Sequence, residues 1–412
     1  MSLANNIEFL RRLPKLNEFN RLGSFPSGLG RAAGPSRLSE TTGFGTNPGD
    51  LKMFSYLPGD QRARQRLPLV VVLHGCTQNA AGYDAGAGWS TLADRYGFAL
   101  LMPEQKTSNN GNGCFNWFNP EDIARGGGEA LSIRQMIARM SRDHGIDAKR
   151  IFVTGLSAGG AMTSVMLATY PEVFAGGAII AGLPYGIAAN VQQALSGMYH
   201  SAARPARELG DLVRNVSSHN GPWPKISVWH GSADKTVNPS NADEIIKQWL
   251  DVHQLPPVPM AQSTVDGYPR AVWWNADGET LVESYTITDM AHGTPLGIAD
   301  NDERYGAQGA FMIEAGISSS YHIACFFGLT GRVHQPKDVS KEASKPVAAA
   351  TTLPAITAAP ALPAPSAPEI NAIPWPSALS AGPAKSRRPP RRPAIDVSAV
   401  INRALTAAGL MK

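Results

Sequence analysis

Ser157 stands at the centre of Gly155-Leu156-Ser157-Ala158-Gly159, a G-x-S-x-G pentapeptide. Before it runs Arg150–Thr154 (RIFVT), apolar and β-prone; after it runs Ala158–Thr169, with helical character, ended before Pro171. At a sharp strand-to-helix turn the serine hydroxyl is lifted out of the sheet. The residues two before and two after it must then lack bulk, so that strand and helix can approach. The start of the helix aims unpaired N–H groups at the place where negative charge would develop. The pentapeptide alone is a weak signal in a chain with 41 glycines, and the flanking strand and helix argue against a mere helix-capping serine. The chemistry this points to is attack on a carbonyl carbon by an activated alcohol.

A serine hydroxyl needs a base to take its proton and a third group to hold that base. Around an elbow of this kind the partners follow in the order Ser, Asp or Glu, His. Asp234 ends the stretch WHGSAD, which reads as a strand running into a loop; a carboxylate there can accept an imidazole N–H and fix its tautomer. His292 follows the β-like Glu283–Ile287 on a loop continued by Gly293, where a mobile base belongs. The rivals read otherwise. His230 precedes Asp234, breaks the order and is expected to pack at a strand end. Asp243 and Asp251 fall in a helical stretch and are expected in solvent; Asp289, three before His292, could orient that ring, but serving its own loop is the simpler reading.

An oxyanion on the attacked carbonyl needs two N–H donors. Ala158, directly after the serine, supplies one. The second comes from the loop after an early strand, and VVVLHGC ends in His74-Gly75 with Cys76 carrying a free N–H. Losing one such donor costs about 10²–10³ in rate.

Four loops must therefore meet at one edge of a sheet. Leu67–Leu73 (LPLVVVL) is a continuous apolar run, as in a strand buried on both faces of a parallel sheet. Leu51–Leu57, Phe98–Met102, Gly177–Ala181 and Ile226–Trp229 read as further strands, with helical segments over Trp89–Tyr96 and Asn241–His253. Glu129–His144 places Leu131, Ile133, Met136, Ile137 and Met140 near a helical period, and Gly145 stops it. Strand and helix in alternation predict an α/β fold: a mostly parallel central sheet flanked by helices.

Composition changes near Val333, where Pro, Ala, Ser and Thr take over. The chain reads as an N-terminal extension (1–40), a catalytic domain (41–330), a disordered Pro/Ala-rich linker (331–394) and a C-terminal amphipathic helix (395–412). The last rests on the spacing of Val397, Val400, Ile401, Leu405 and Leu410; residues 3–13 read as a short amphipathic helix or as disordered. The 43% hydrophobic content is enough for a well-filled core. Lys and Arg number 37 against 33 Asp and Glu, a net charge of +4. It divides as +3 over 1–40, −6 over 41–330 and +7 over 331–412, so the basic balance belongs to the ends and implies no nucleic-acid partner. The basic run Lys385–Arg392 beside the terminal helix fits an acidic surface or, more simply, a solvated tail.

No run reaches the roughly 18 consecutive apolar residues of a membrane span. The N-terminus has no apolar stretch ahead of a small-residue cleavage site, so it does not read as a secretory signal. Cys76, Cys114 and Cys325 form no C-x-x-C, which disfavours zinc; they permit at most one intrachain disulfide, and spacing does not choose it.

Taken together, VVVLHGCTQNAAGYDAGAGWSTLADRYGFALLMPEQ, CFNWF, GLSAGGAMTSVMLATYPEVFAGGAIIAGLPYG, SVWHGSADKTVNP and DMAHGTP resemble the polyhydroxybutyrate depolymerase family of esterases, over roughly Leu51 to Leu329. Acetylxylan and feruloyl esterases have related sequences. The resemblance implies an α/β-hydrolase fold and cleavage of carboxylic esters through an acyl-enzyme, with no cofactor and no metal. By position it implies Ser157 as nucleophile, Asp234 as orienting acid, His292 as base, and the N–H groups of Cys76 and Ala158 as oxyanion donors. It further implies a Cys76–Cys114 disulfide with Cys325 free, and a substrate crevice touched by Trp117, Asn116 and His74. The implied partner is an ester polymer or oligomer of the polyhydroxyalkanoate kind, with a carbohydrate ester or a non-catalytic polymer-binding role as the alternatives. The family implies an extracellular or periplasmic place, whereas the N-terminus reads as cytoplasmic. Oligomeric state is not legible.

Overall fold

The structure, a computed structural model, describes residues 36–59, 66–200 and 203–331. The chain divides into two units, Met1–Pro336 and Lys337–Lys412, and every described residue belongs to the first. The two amphipathic helices and the Pro/Ala-rich linker expected near the ends lie outside the described residues.

Ten strands form one sheet among these residues. They are β1 (Ser39–Thr41), β2 (Lys52–Tyr56), β3 (Leu67–Leu73), β4 (Ala99–Glu104), β5 (Ile146–Leu156), β6 (Gly176–Ile180), β7 (Lys225–Gly231), β8 (Ala261–Val265), β9 (Tyr268–Trp274) and β10 (Thr280–Ile287). Their order is β1-β2-β4-β3-β5-β6-β7-β10-β9-β8. From β4 through β3, β5, β6 and β7 to β10 every neighbour is parallel; β1 and β2 on one side, and β9 and β8 on the other, add antiparallel wings. Two short strands, β11 (Thr294–Leu296) and β12 (Met312–Glu314), pair separately. β1 shows that the sheet begins before residue 41, inside the segment read from the sequence as an extension.

The apolar run of β3 behaves as a strand covered on both faces. Leu69, Val71 and Leu73 enter one core; Val70 and Val72 enter the other. That alternation is the period of two of a pleated strand, and each such buried side chain is worth about 1.5–3 kcal/mol. Helices α1 (Ala80–Ala87), α2 (Trp89–Tyr96) and α9 (Ser319–Phe326) serve the second core through residues such as Trp89, Leu92 and Ile323. The first core is covered by α4 (Gly128–His144), α5 (Ala158–Thr169) and α8 (Ser240–His253), which follow the single-turn α3 (Pro120–Ile123) and precede or flank α6 (Val191–Tyr199) and α7 (Ala206–Arg214). Ile133, Met136, Ile137 and Met140 of α4 are all buried there, as their spacing predicts. Each strand expected from the sequence appears, with ends displaced by a few residues. This is the α/β-hydrolase arrangement, a mostly parallel sheet between helices.

Candidate active site

The sharp bend falls at Ser157, whose backbone takes φ 56 and ψ −117. A β-carbon makes that conformation costly, on the order of 1–3 kcal/mol, and it persists only where surroundings enforce it. Here they do. The Ser157 N–H donates to Ile180 O at 2.9 Å, and its carbonyl accepts from Ala161 N at 2.8 Å, so the turn is tied to β6 and to α5. A β-carbon at Gly159 would lie 2.2 Å from Leu73 O, and one at Gly155 would lie 2.5 Å from Gly159 C. The two glycines therefore let α5 start directly against β3, and every residue of α5 is buried.

Asp234 and His292 come from the loops after β7 and β10, parallel neighbours in the sheet. Those loops touch at backbone level: a β-carbon at Gly231 would sit 2.3 Å from Met290 O, and Ala233 N donates to Met290 O at 3.0 Å. His292 Nδ1 donates to Asp234 Oδ2 at 2.6 Å, which leaves Nε2 for the crevice. The other carboxylate oxygen, Oδ1, accepts the N–H groups of Thr236 (2.8 Å) and Val237 (2.9 Å). Burial works to raise the Asp234 carboxyl, but donors on His230 and His292 and the Val237 N–H hold it well below the usual carboxylate range. It stays ionised and fixes the His292 ring.

The rivals are placed elsewhere. His230 is buried at the end of β7, with Nε2 donating to Val237 O at 3.0 Å and lying 3.3 Å from Asp234 Oδ2; its Nδ1 has no protein partner. Asp243 and Asp289 are exposed. Asp251 is not free in solvent: Arg214 of α7 pairs with it at 2.5 Å.

Cys76 and Cys114 are disulfide-bonded, and Cys325 is free. The bond joins the loop after β3 to the loop that carries Trp117. Among the described residues neither Cys76 N–H nor Ala158 N–H donates to a protein acceptor, so both remain available. Trp117 and Phe118, edge-to-face at 5.5 Å, form part of the crevice wall.

Two residues expected at the substrate lie behind the wall instead. His74 is 0% exposed: Nδ1 donates to Gly75 O at 2.8 Å and Nε2 accepts from Gln105 N at 3.1 Å, so no nitrogen is left for a ligand. Burial keeps its pKa low and the ring neutral. Asn116 turns its amide away to Glu129 and Asn110. Both support the crevice rather than line it.

The crevice has a volume of about 260 Å³ and brings Ser157, His292, Cys76, Trp117 and Phe311 onto one surface. One wall is α6, with Val191, Ala194, Leu195 and Met198 facing in. Sequence reasoning missed α6, though its signal was present: these positions keep helical spacing after Asn190, whose side chain caps the helix by accepting from Gln193 N at 2.9 Å. Phe311, packed edge-on to His292 at 6.0 Å, carried no local signal. Among the described residues, Asp266, Asp300 and His322 are the group of suitable side chains close enough together to hold a metal; none of them lines the crevice.

The profile of the family described as "Esterase PHB depolymerase" matches residues 51–261. Poly(3-hydroxyalkanoate) depolymerase C of Paucimonas lemoignei is 48% identical over 295 residues, 71% of this chain and 70% of that one. An acetylxylan esterase of Coprinopsis cinerea is 34% identical over 266 residues, 63% of this chain and 70% of its own. Among solved structures, an acetyl xylan esterase from Aspergillus awamori aligns with a TM-score of 0.57 at 27% identity, covering 62% of this chain and 93% of that one. With the profile and the first of these relatives in agreement, the chain belongs to the PHB-depolymerase family of esterases and is a serine carboxylic ester hydrolase.

Proposed function

We propose that Ser157, His292 and Asp234 carry the hydrolysis and that the substrate is a short-chain hydroxyalkanoate ester, as oligomer or polymer. The observation that carries the first part is the 2.6 Å bond between His292 and Asp234 in a crevice that Ser157 also lines. His292 Nε2 takes the Ser157 proton as Oγ attacks the ester carbonyl, and Asp234 stabilises the imidazolium that results. The Cys76 and Ala158 N–H groups, together with the start of α5, stabilise the oxyanion. His292 returns the proton to the leaving alkoxide. Water, activated by the same imidazole, then attacks the acyl-enzyme and frees Ser157.

The chemistry of the crevice supports the acyl class. Hydroxyalkanoate units bear small alkyl branches and no free hydroxyl between ester links, which suits the aliphatic α6 wall and the Trp117–Phe118 pair. A glycan would leave its hydroxyls unpaired against α6. The Cys76–Cys114 disulfide fits an oxidising, extracellular or periplasmic place. No helix of the described residues is long and apolar enough to cross a membrane.

The test compares hydroxybutyrate trimer, acetylated xylan and a methyl ferulate ester, with wild type and Ser157→Ala. The reading predicts kcat/KM highest on the trimer and lost by about 10⁴-fold or more in the variant. A higher kcat/KM on acetylated xylan moves the substrate to carbohydrate esters, and full activity in Ser157→Ala rejects the mechanism.

A further inference from the structure

Glu129 lies in the first turn of α4 and is 0% exposed. Among the described residues it has no ion-pair partner. Its carboxylate accepts three N–H groups instead: Oε2 from Asn116 N at 2.9 Å, Oε1 from Asn116 Nδ2 at 2.9 Å and from Gln105 Nε2. Burial and the neighbouring Asp122 push this carboxyl well up, against the pull of those donors. A buried carboxylate without a cation is costly, and an apolar side chain would fill the space without that cost.

Each donor leads on to a crevice wall. Gln105 Nε2 also donates to Cys114 O at 3.1 Å, while the Gln105 backbone N–H donates to His74 Nε2 at 3.1 Å. His74 in turn holds Gly75 O at 2.8 Å, directly before Cys76. On the other branch, Asn116 Oδ1 accepts from Asn110 Nδ2 at 2.9 Å, and Asn110 Oδ1 accepts from the N–H groups of Asn112 (3.1 Å) and Cys114 (3.3 Å). The disulfide joins the two loops to each other but to nothing behind them. Glu129 ties both to a 17-residue helix packed into the core.

We propose that Glu129 is a positioning residue of the ester-hydrolysing site: it sets the His74–Cys76 loop and the Cys114–Trp117 loop against α4, so that the Cys76 N–H meets the oxyanion. The proposal rests on Cys76 serving as an oxyanion donor. A donor displaced by about 1 Å can cost roughly 10²-fold in rate.

Glu129→Gln keeps the side-chain shape but turns an acceptor into an amide that faces the donors of Gln105 and Asn116. On p-nitrophenyl butyrate it is expected to lower kcat about 10–100-fold with KM within about twofold, the mark of an interaction made in the transition state. Affinity for a boronic-acid analogue of the tetrahedral intermediate should fall in parallel, with circular dichroism and Tm showing a folded protein. Gln105→Met cuts the branch to Cys114 and is read in the same way should Glu129→Gln fail to fold. In the double variant the loss should not exceed that of the worse single one. Unchanged kcat in a folded variant, a rise in KM at constant kcat, or a loss matched by the unfolded fraction in both variants each overturns the proposal. Ser157→Ala, assayed alongside, separates the two levels: activity there rejects the mechanism itself, whereas an inactive Ser157→Ala beside an unimpaired Glu129→Gln rejects only the role of Glu129.

Discussion

The two walls of the crevice hold their working groups by different physics. On the side of β7 and β10, Asp234 faces two imidazoles, and its carboxyl is pulled below the ordinary range. On the side of β3 and β4, Glu129 accepts only from neutral amides, and burial with the neighbouring Asp122 pushes its carboxyl up. On the mechanism we propose, the first wall moves a proton, so it needs groups whose charge states are coupled. On the same proposal the second holds fixed N–H dipoles where charge develops, so it needs rigidity, supplied by a disulfide and by the hydrogen bonds that converge on Glu129. Damage to the first wall should therefore remove chemistry from a folded protein. Damage to the second should loosen geometry and stability together.

Asp234→Asn is the strongest way to break that contrast. It should lower kcat by about 10⁴-fold through the wrong His292 tautomer while leaving the crystal or solution fold intact; an active Asp234→Asn enzyme would place the acid elsewhere. On the opposite wall, Cys76→Ser with Cys114→Ser should cost about 4 kcal/mol in denaturant unfolding, from the chain entropy of a 38-residue separation. Its kcat should fall as well, and unchanged stability would show that the bond restrains nothing. Trp117→Ala should raise KM for hydroxybutyrate oligomers roughly tenfold, and for p-nitrophenyl acetate much less, given the apolar area removed; equal losses on both would assign Trp117 to folding alone. The smallest effect is in pH. Because the folded Asp234 carboxyl lies below its unfolded value near 3.9, its stabilisation is present above that pH and is lost as pH falls toward the folded value. The Tm of wild type should accordingly decline more steeply below about pH 4 than that of Asp234→Asn.

Legibility in the sequence followed the strength of the local constraint. The elbow, β3 and α4 were readable because a strained turn needs small neighbours, a doubly covered strand needs continuous apolar residues, and a packed helix needs its period. The Asp234–His292 pair was legible through chain order. The edge strand β8, mostly exposed and polar, gives no such pattern. His74 and Asn116 adjoin the crevice in sequence, yet pleat and loop turn them inward, a direction that residue type does not encode. Glu129 stayed hidden because a glutamate in a first helical turn ordinarily reads as a surface partner of the helix dipole.

Covalent labelling is the most direct trial of the central claim that Ser157, activated by His292, performs the attack. The protein is treated with a p-nitrophenyl alkylphosphonate, weighed intact and mapped by peptide mass spectrometry. One phosphonyl group on Ser157, accumulating in step with lost esterase activity and absent from His292→Ala over the same interval, is the predicted result. A label on another residue, or esterase activity that survives full modification of Ser157, would contradict it.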